Sequence, residues 1–395
     1  MKVGYLSDGY PYQRCIVNIV EGAHYKNVRI ENIHLYLWSI QYFARRFKLI
    51  KKHPVDHFFR HRGPNFNGVD LYHFFNTVSF TARPWVSTFE SLIPRYSELM
   101  VDTKDGGISF PRTGNLERAM KAIASDNCKK IIALSDCTKM MQEKLIRLFP
   151  EYEGRIKDKL CTLHPPQRLF IGSFAEKGIG TDSVIRFMFV GRDFVTKGGL
   201  EILATFKTLV EEHRLPIKLV VVSSLGAEGY ARHATDNELE AARRTLNESE
   251  WIEYYESLPN YDVIKLMIGS HVGLLPTWAD TYGYSALEFQ SAGCPVISTD
   301  IRALPEINND EVGYLIKVPK KDYGEGLYKT ESDRLFMAET IKKGLVSAVL
   351  SIFADLSQIE TKSNLSIRNI VRNHDPVDYA NRLKQIYQEA LTNRC

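Results

Sequence analysis

The chain has 395 residues, enough for two or three domains with separate cores. At 44% apolar and 25% charged it is ordinary globular material, and 51 basic against 47 acidic residues leave a formal charge of +4, too balanced for a nucleic-acid binder. No apolar run approaches the roughly 18 residues of a membrane-crossing helix. Residues 1–6 open as a strand rather than a signal peptide. The six cysteines (Cys15, Cys128, Cys137, Cys161, Cys294, Cys395) show neither a C-x-x-C pair nor histidines at zinc spacing. They read as thiols of a reducing compartment, so a cytoplasmic location is expected, with peripheral contact to the inner face of the membrane left open.

Residues 2–6 predict the first strand of an α/β domain, and the loop after it, 7–11, faces the ligand crevice if the sheet is doubly wound. Gly9 is the one glycine there, which suits either a phosphate loop or a plain turn. The apolar period over 36–49 (Leu37, Ile40, Tyr42, Phe43, Phe47) predicts a helix. Its end and the following loop are basic, with Arg45, Arg46, Lys48, Lys51, Lys52, Arg60 and Arg62, and Phe58 and Phe59 are interleaved. Such a patch over 45–62 suits an anionic bilayer; it equally suits a solvated helix end that complements the helix dipole. Strands are predicted at 70–75, 85–90, 130–135 and 160–163, and helices at 116–124 and 138–149. Glu90, at a strand end, and Arg95 suit an acceptor-side polar pair or a surface salt bridge. Residues 171–182 are rich in Gly and Ser without periodicity and read as a linker that closes an N-terminal domain over 1–170.

The second α/β domain is predicted over 183–375. Its first strand, 186–190, runs into Gly191-Arg192-Asp193-Phe194-Val195-Thr196-Lys197-Gly198-Gly199. Two cations five residues apart on a glycine-bearing loop suit a diphosphate: Arg192 by its planar fork, Lys197 as a point charge. A helix at 200–213, a strand at 217–222, a charged insertion at 227–247 and a helix at 261–268 follow. Tyr255, Glu256 and Leu258, at the end of a strand, could frame a nucleotide base or fill a core. The apolar run 272–275 then leads through a loop carrying Trp278, Asp280 and Gly283 into a short helix from Tyr284 to Gly293, and a further strand at 295–298. Unpaired N–H groups at that helix start, near Tyr284 and Ser285, favour an anion, and Gly283 lets it approach the backbone. Asp280 and Glu288, eight positions apart, add carboxylate acceptors. A ligand with hydroxyls and a phosphate fits; so does an ordinary strand–loop–helix with a solvated Asp and a capping Glu. Helices at 333–353 and 378–391 end the chain.

The stretch 275–299 resembles the signature of the family-4 retaining glycosyltransferases of the GT-B fold. That signature has a carboxylate, an aromatic-Gly pair and a Glu, with seven residues between the acids, then Ala, a small residue, Gly, any residue, Pro and Val. Here Asp280, Tyr282-Gly283, Glu288, Ala292-Gly293 and Pro295-Val296 take those places. The resemblance implies an α/β protein of GT-B type, two Rossmann-like doubly wound domains facing across a cleft: an acceptor-side domain over 1–170, a donor domain over 183–375, and a C-terminal helix, 376–395, crossing back to the first. It implies Arg192, Lys197 and Asp280 as the catalytic set. Gly191, Gly283, Tyr284, Ser285 and Glu288 would hold the donor, with Glu288 on ribose hydroxyls and Asp280 and the amides of 283–285 on the sugar. Tyr255, Glu256 and Leu258 would frame the base, Gly9 would stand in a loop where relatives carry Gly-Gly, and Ser135 would face the cleft.

Two places depart from that pattern. The first acid is Asp280 where Glu is usual, and Phe89-Glu90 stands where relatives often carry His-Asp. The chain holds no D-x-D for a metal, so leaving-group charge falls to Arg192, Lys197 and the helix start. The implied reaction is a retaining, metal-independent transfer from a nucleoside-diphosphate sugar, UDP or GDP based, to a glycan, lipid-linked or protein acceptor, with no cofactor. Open alternatives are a non-catalytic nucleotide-sugar-binding subunit of a glycosylation complex, and an epimerase or phosphorylase of the same fold. A dehydrogenase is disfavoured, since no strand leads into G-x-G-x-x-G.

Overall fold

The computed structural model describes residues 1–49, 54–99, 112–180, 184–226 and 231–392. The chain divides into two units: Met1–Pro166 with Pro376–Cys395, and Gln167–Asp375.

Unit 1 runs β1 (Lys2–Tyr5), α1 (Tyr10–Cys15), β2 (His24–Asn27), α2 (Ile33–Arg46), β3 (Arg60–His61), β4 (Leu71–Phe75), β5 (Val78–Ser79), β6 (Trp85–Phe89), α3 (Gly114–Ala124), β7 (Cys128–Ala133), α4 (Asp136–Ile146), α5 (Pro150–Lys157) and β8 (Leu160–Thr162). Six strands form one parallel sheet in the order β2-β1-β4-β6-β7-β8. Every residue of β4 and β6 is buried, as a parallel strand covered on both faces requires. Helices α2 and α4 start on short polar caps: Asn32 Oδ1 accepts from the N–H of His34, and Ser135 Oγ from that of Thr138. Ser135 is fully buried in that cap and also bonds Thr138 Oγ1, so it is a structural residue here and not an open polar group.

Unit 2 runs β9 (Ile185–Val190), α6 (Gly199–Glu211), β10 (Ile217–Val222), α7 (Asp236–Glu248), β11 (Ile252–Tyr255), α8 (Asn260–Ile268), β12 (Val272–Leu275), α9 (Tyr284–Ser291), β13 (Val296–Thr299), α10 (Leu304–Ile307), β14 (Tyr314–Ile316), α11 (Glu331–Ala354) and α12 (Ser357–Asn373). Its parallel sheet has the order β11-β10-β9-β12-β13-β14. In chain order that is 3-2-1-4-5-6, the doubly wound dinucleotide-binding arrangement, and its direction reverses between β9 and β12.

The last helix, α13 (Pro376–Thr392), belongs to unit 1. The Tyr379 hydroxyl donates to the carbonyl of Cys15 at 2.8 Å, and the Tyr387 hydroxyl pairs with His73 Nδ1 at 2.7 Å.

Three readings of the sequence change. The segment 171–182 is no free linker. As far as residue 180 it is part of unit 2, and the boundary falls at Pro166. Phe174–Lys177 is a 3-10 turn in which Lys177 is buried and donates to the carbonyl of Ala292 at 2.6 Å. Residues 181–183 lie outside the described ones, as do 227–230 of the charged insertion, whose remainder carries α7. Helix α12 was not anticipated, because Ser363 and Ser366 sit on its buried face beside Ile359, Ile367 and Ile370 and dilute the apolar period. Among the described residues no helix is long and apolar enough to cross a membrane.

Candidate active site

Loops leaving adjacent strands at the switch point of a doubly wound sheet share one crevice. In unit 2 these are the loop after β9, with Arg192 and Lys197, and the loop after β12, with Asp280 and Gly283. They are joined directly. The carbonyl of Thr196 accepts from the N–H of Trp278 at 2.8 Å and from Thr277 Oγ1 at 3.1 Å. Gly198, at φ +84°, passes so close that a Cβ there would lie 2.2 Å from the carbonyl oxygen of Pro276. Buried Glu201, on α6, accepts from the indole N–H of Trp278 at 3.1 Å, and the Arg232 guanidinium stands 3.7 Å from its other oxygen. Burial pushes the Glu201 carboxyl above the usual carboxylate range.

This stitching brings Lys197 Nζ to 2.5 Å from Asp280 Oδ2. The other oxygen, Oδ1, accepts the N–H groups of Tyr282 (3.2 Å) and Gly283 (3.0 Å). Asp280 therefore folds onto its own loop, as short carboxylates do two and three residues on. The amide of Gly283 is consequently spent on Asp280, and the reading that directs it at a sugar is corrected. Gly283 takes φ +93° and starts α9, leaving Tyr284 and Ser285 half-buried on the first turn and Glu288 half-buried one turn in. Gly191 follows β9 directly, its N–H bonded to the carbonyl of Val222. Arg192 is exposed, and its carbonyl accepts from the N–H of Gly226 at 3.0 Å.

Tyr255 closes β11, two strands from β9 at the same end of the sheet. Its hydroxyl donates to Glu253 at 2.7 Å, which in turn pairs with Arg186 at 2.7 Å. Glu256 is exposed and Leu258 half-buried on the loop that follows. The structure thus gathers Lys197, Asp280 and Gly283 into one contact network and sets Tyr255, Glu256 and Leu258 apart from it.

In unit 1 the strand order reverses between β1 and β4, and a cavity of about 280 Å³ lies there. Ser7, Asn76 and Thr77 come from the two strand ends, and His34 and Trp38 from α2. Phe59 comes from the turn before β3. His34 Nδ1 and His57 Nδ1 are 3.0 Å apart, so one donates and the other accepts. Burial, and then the charges of His57 and Arg60, push His34 down to about 4; burial and Arg60 lower His57 as well. The His34 ring is neutral at pH 7.

Glu90 and Arg95 form an ion pair behind this cavity. Glu90 Oε1 accepts from Asn76 Nδ2 at 3.2 Å, and the Arg95 guanidinium lies 5.7 Å from the Phe59 ring centre, so both touch residues of the lining without belonging to it. Phe89 is fully buried in the core. Gly9, at φ −66°, precedes the six-residue α1 with its N–H on Ser7 Oγ, a conformation open to any residue.

Residues 175–345 match the family model "Glycosyl transferases group 1". Over that stretch the chain is similar to the group 1 glycosyltransferases, and its fold is GT-B. Solved structures agree on that fold. HepE of Anabaena in complex with UDP superposes with a TM-score of 0.61 at 13% identity, covering 98% of this chain and 100% of that one. A glycosyltransferase from Rickettsia africae gives 0.55 at 15% identity over 94% and 85%. Sucrose-phosphate synthase from Thermosynechococcus elongatus gives 0.54 at 15% over 82% and 74%. A comparison with curated proteins finds no match.

Glu201, Arg232 and the His34–His57 pair were not legible in the sequence. The two histidines are 23 positions apart and Glu201 is 77 from Trp278. The one usable signal was the i, i+4 placement of His34 and Trp38 on one side of a helix.

Proposed function

We propose that this protein moves a sugar from a nucleoside-diphosphate sugar, built on UDP or GDP, to a hydroxyl of a glycan, lipid-linked or protein acceptor, with retention at the anomeric carbon and without a metal or cofactor. The observation that carries the reading is the convergence of the β9 and β12 loops at the switch point, which pairs Lys197 with Asp280 beside the start of α9. A diphosphate entering there meets the Lys197 ammonium, the exposed fork of Arg192 and the positive end of α9. As the anomeric C–O bond breaks, negative charge grows on the departing phosphate oxygen, and these fixed positive groups stabilise it. Glu288 is the acceptor for ribose hydroxyls, and Tyr255, Glu256 and Leu258 frame the base. The complex of Anabaena HepE with UDP-glucose, at a TM-score of 0.58, supports a nucleotide-sugar donor on this fold. On the acceptor side we assign the unit 1 cavity, with Glu90 and Arg95 holding Asn76 and Phe59 in place. Buried free thiols such as Cys15 and Cys128 fit work in the cytoplasm.

The test begins with thermal shifts on UDP, GDP, ADP and their sugars; the true donor raises the unfolding temperature by mass action. Under saturating donor, Arg192→Ala and Lys197→Ala each lose about 10²–10³ in turnover, and chelation of divalent ions leaves turnover intact. Undiminished turnover in both variants rejects the leaving-group role. A loss on chelation rejects the metal-free reaction. One observation favours a second reading, a non-catalytic nucleotide-sugar-binding subunit: Asp280 is committed to Lys197 and to its own loop. Slow hydrolysis of the donor by the purified chain excludes it.

A further inference from the structure

Helix α2 is apolar on the side that points to solvent. Ile33, Leu37, Ile40 and Phe43 follow one another at three- and four-residue steps, and Phe47 continues the row just past the last turn, so all fall within one arc. Every one is exposed, Ile40 at 65% and Phe47 at 71%. The other side of the helix is occupied differently: His34 and Trp38 wall the unit 1 cavity, and Trp38 stacks on Tyr42. No residue of α2 is buried. A surface helix ordinarily turns its single apolar stripe inward. This one spends its inner side on a cavity and carries a second, outward stripe, of the kind that marks an interaction surface.

Charge identifies what covers it. Residues 33–52 contain no Asp or Glu. The stripe ends among exposed Arg45, Arg46 and Lys48, and Lys51 and Lys52, next in the sequence, lie outside the described residues. An apolar face crowded by cations at one end matches the boundary between the headgroups and acyl chains of an anionic bilayer. A second copy meeting this surface with its own, as in a two-fold dimer, brings no acidic partner to those cations.

We propose that α2 docks unit 1 on an anionic bilayer, with Ile40, Phe43 and Phe47 in the interface and Arg45, Arg46 and Lys48 at lipid phosphates. The docking element is the outward stripe over 33–47 and not a patch over 45–62, because Phe58 and Phe59 wall the cavity. The inference stands on unit 1 and does not depend on the donor chemistry of unit 2.

Flotation of the full chain with vesicles tests it. Binding is expected to vesicles of phosphatidylcholine mixed with phosphatidylglycerol, to weaken with added salt, and to be absent with phosphatidylcholine alone. Ile40→Glu combined with Phe43→Glu, and separately Arg45→Glu combined with Arg46→Glu, each reduce partitioning about tenfold or more. The unfolding temperature of each variant without vesicles shows whether it is folded, and the nucleotide panel reports unit 2 independently. Absence of binding by the unaltered chain overturns the proposal. So does equal binding by folded Ile40→Glu/Phe43→Glu. A dimer in solution that this variant splits, with no vesicle binding, assigns the stripe to a second copy and overturns it too.

Discussion

Glu201 is buried, and one carboxylate oxygen accepts from the indole N–H of Trp278, two residues before Asp280. Its second oxygen meets Arg232, which also lies over the Trp278 ring at 5.7 Å. The carboxylate thereby fixes the loop on which Asp280 sits. Glu201→Ala leaves a buried indole N–H without an acceptor, a loss of about 1–3 kcal/mol. Glu201→Gln keeps an acceptor and costs less. The check is thermal unfolding together with donor affinity: the Ala variant falls well below the Gln variant on both, and equal behaviour removes Glu201 from the positioning role. Arg192 with Lys197, and Asp280 with Glu288, could be picked out as candidates from the sequence because each pair lies within one short stretch of chain. Glu201 could not, because a buried Glu and a distant Trp leave no spacing to read.

Among the elements, the two loops of unit 2 depend on two glycines, and unequally. Gly198 takes φ +84°, and an added Cβ meets the carbonyl of Pro276, which is backbone. Gly283 takes φ +93°, and an added Cβ meets Leu304 Cδ2 at 2.5 Å, the end of a side chain that can turn away. Left-handed backbone costs a non-glycine residue about 1–2 kcal/mol in either place. Gly198→Ala adds a clash that only separation of the loops relieves. Gly198→Ala is therefore the more destabilising, and it weakens nucleotide binding more than Gly283→Ala does, as calorimetry on the two variants measures. The reverse order would mean that the Thr196–Trp278 junction is not what holds the loops together. Asp280 shows the same locality: one methylene fewer than Glu, and the carboxylate bonds its own turn.

Across the molecule, the chain's last helix returns to its first unit, and His73 is the joint. This ring, at the centre of β4, bonds Tyr387 of α13 at 2.7 Å and Thr88 at 2.8 Å, and burial pushes it down to about 3. An unfolded histidine titrates near 6.5. Between those values the unfolded chain binds the extra proton, so the stability of unit 1 is complete above about pH 6.5 and is lost as pH falls toward 3. The slope for this one group reaches about 1.4 kcal/mol per pH unit. Buried His61, also near 3, adds in the same direction. Hydrogen exchange of the β4 and β6 amides at pH 7 and pH 5 reads this. His73→Asn lowers protection at pH 7 and reduces the difference between the two; an unchanged difference assigns the acid sensitivity elsewhere.

The sequence by itself determined the strand–loop–helix units and the motif residues, because a period of about 3.6, an all-apolar strand and a glycine-bearing loop are properties of neighbours along the chain. From them followed a doubly wound α/β protein and a pair of glycine-bearing loops as its candidate site. Tertiary structure alone decided that Asp280 pairs with Lys197 across 83 positions, that Gly283 gives its amide to Asp280, and that residues 171–180 pack into unit 2. It also decided that α2 keeps an apolar face outward while its other side walls a cavity. Which side of a helix is covered, and which amide is already bonded, depend on what the rest of the fold brings against it, and no local pattern records that.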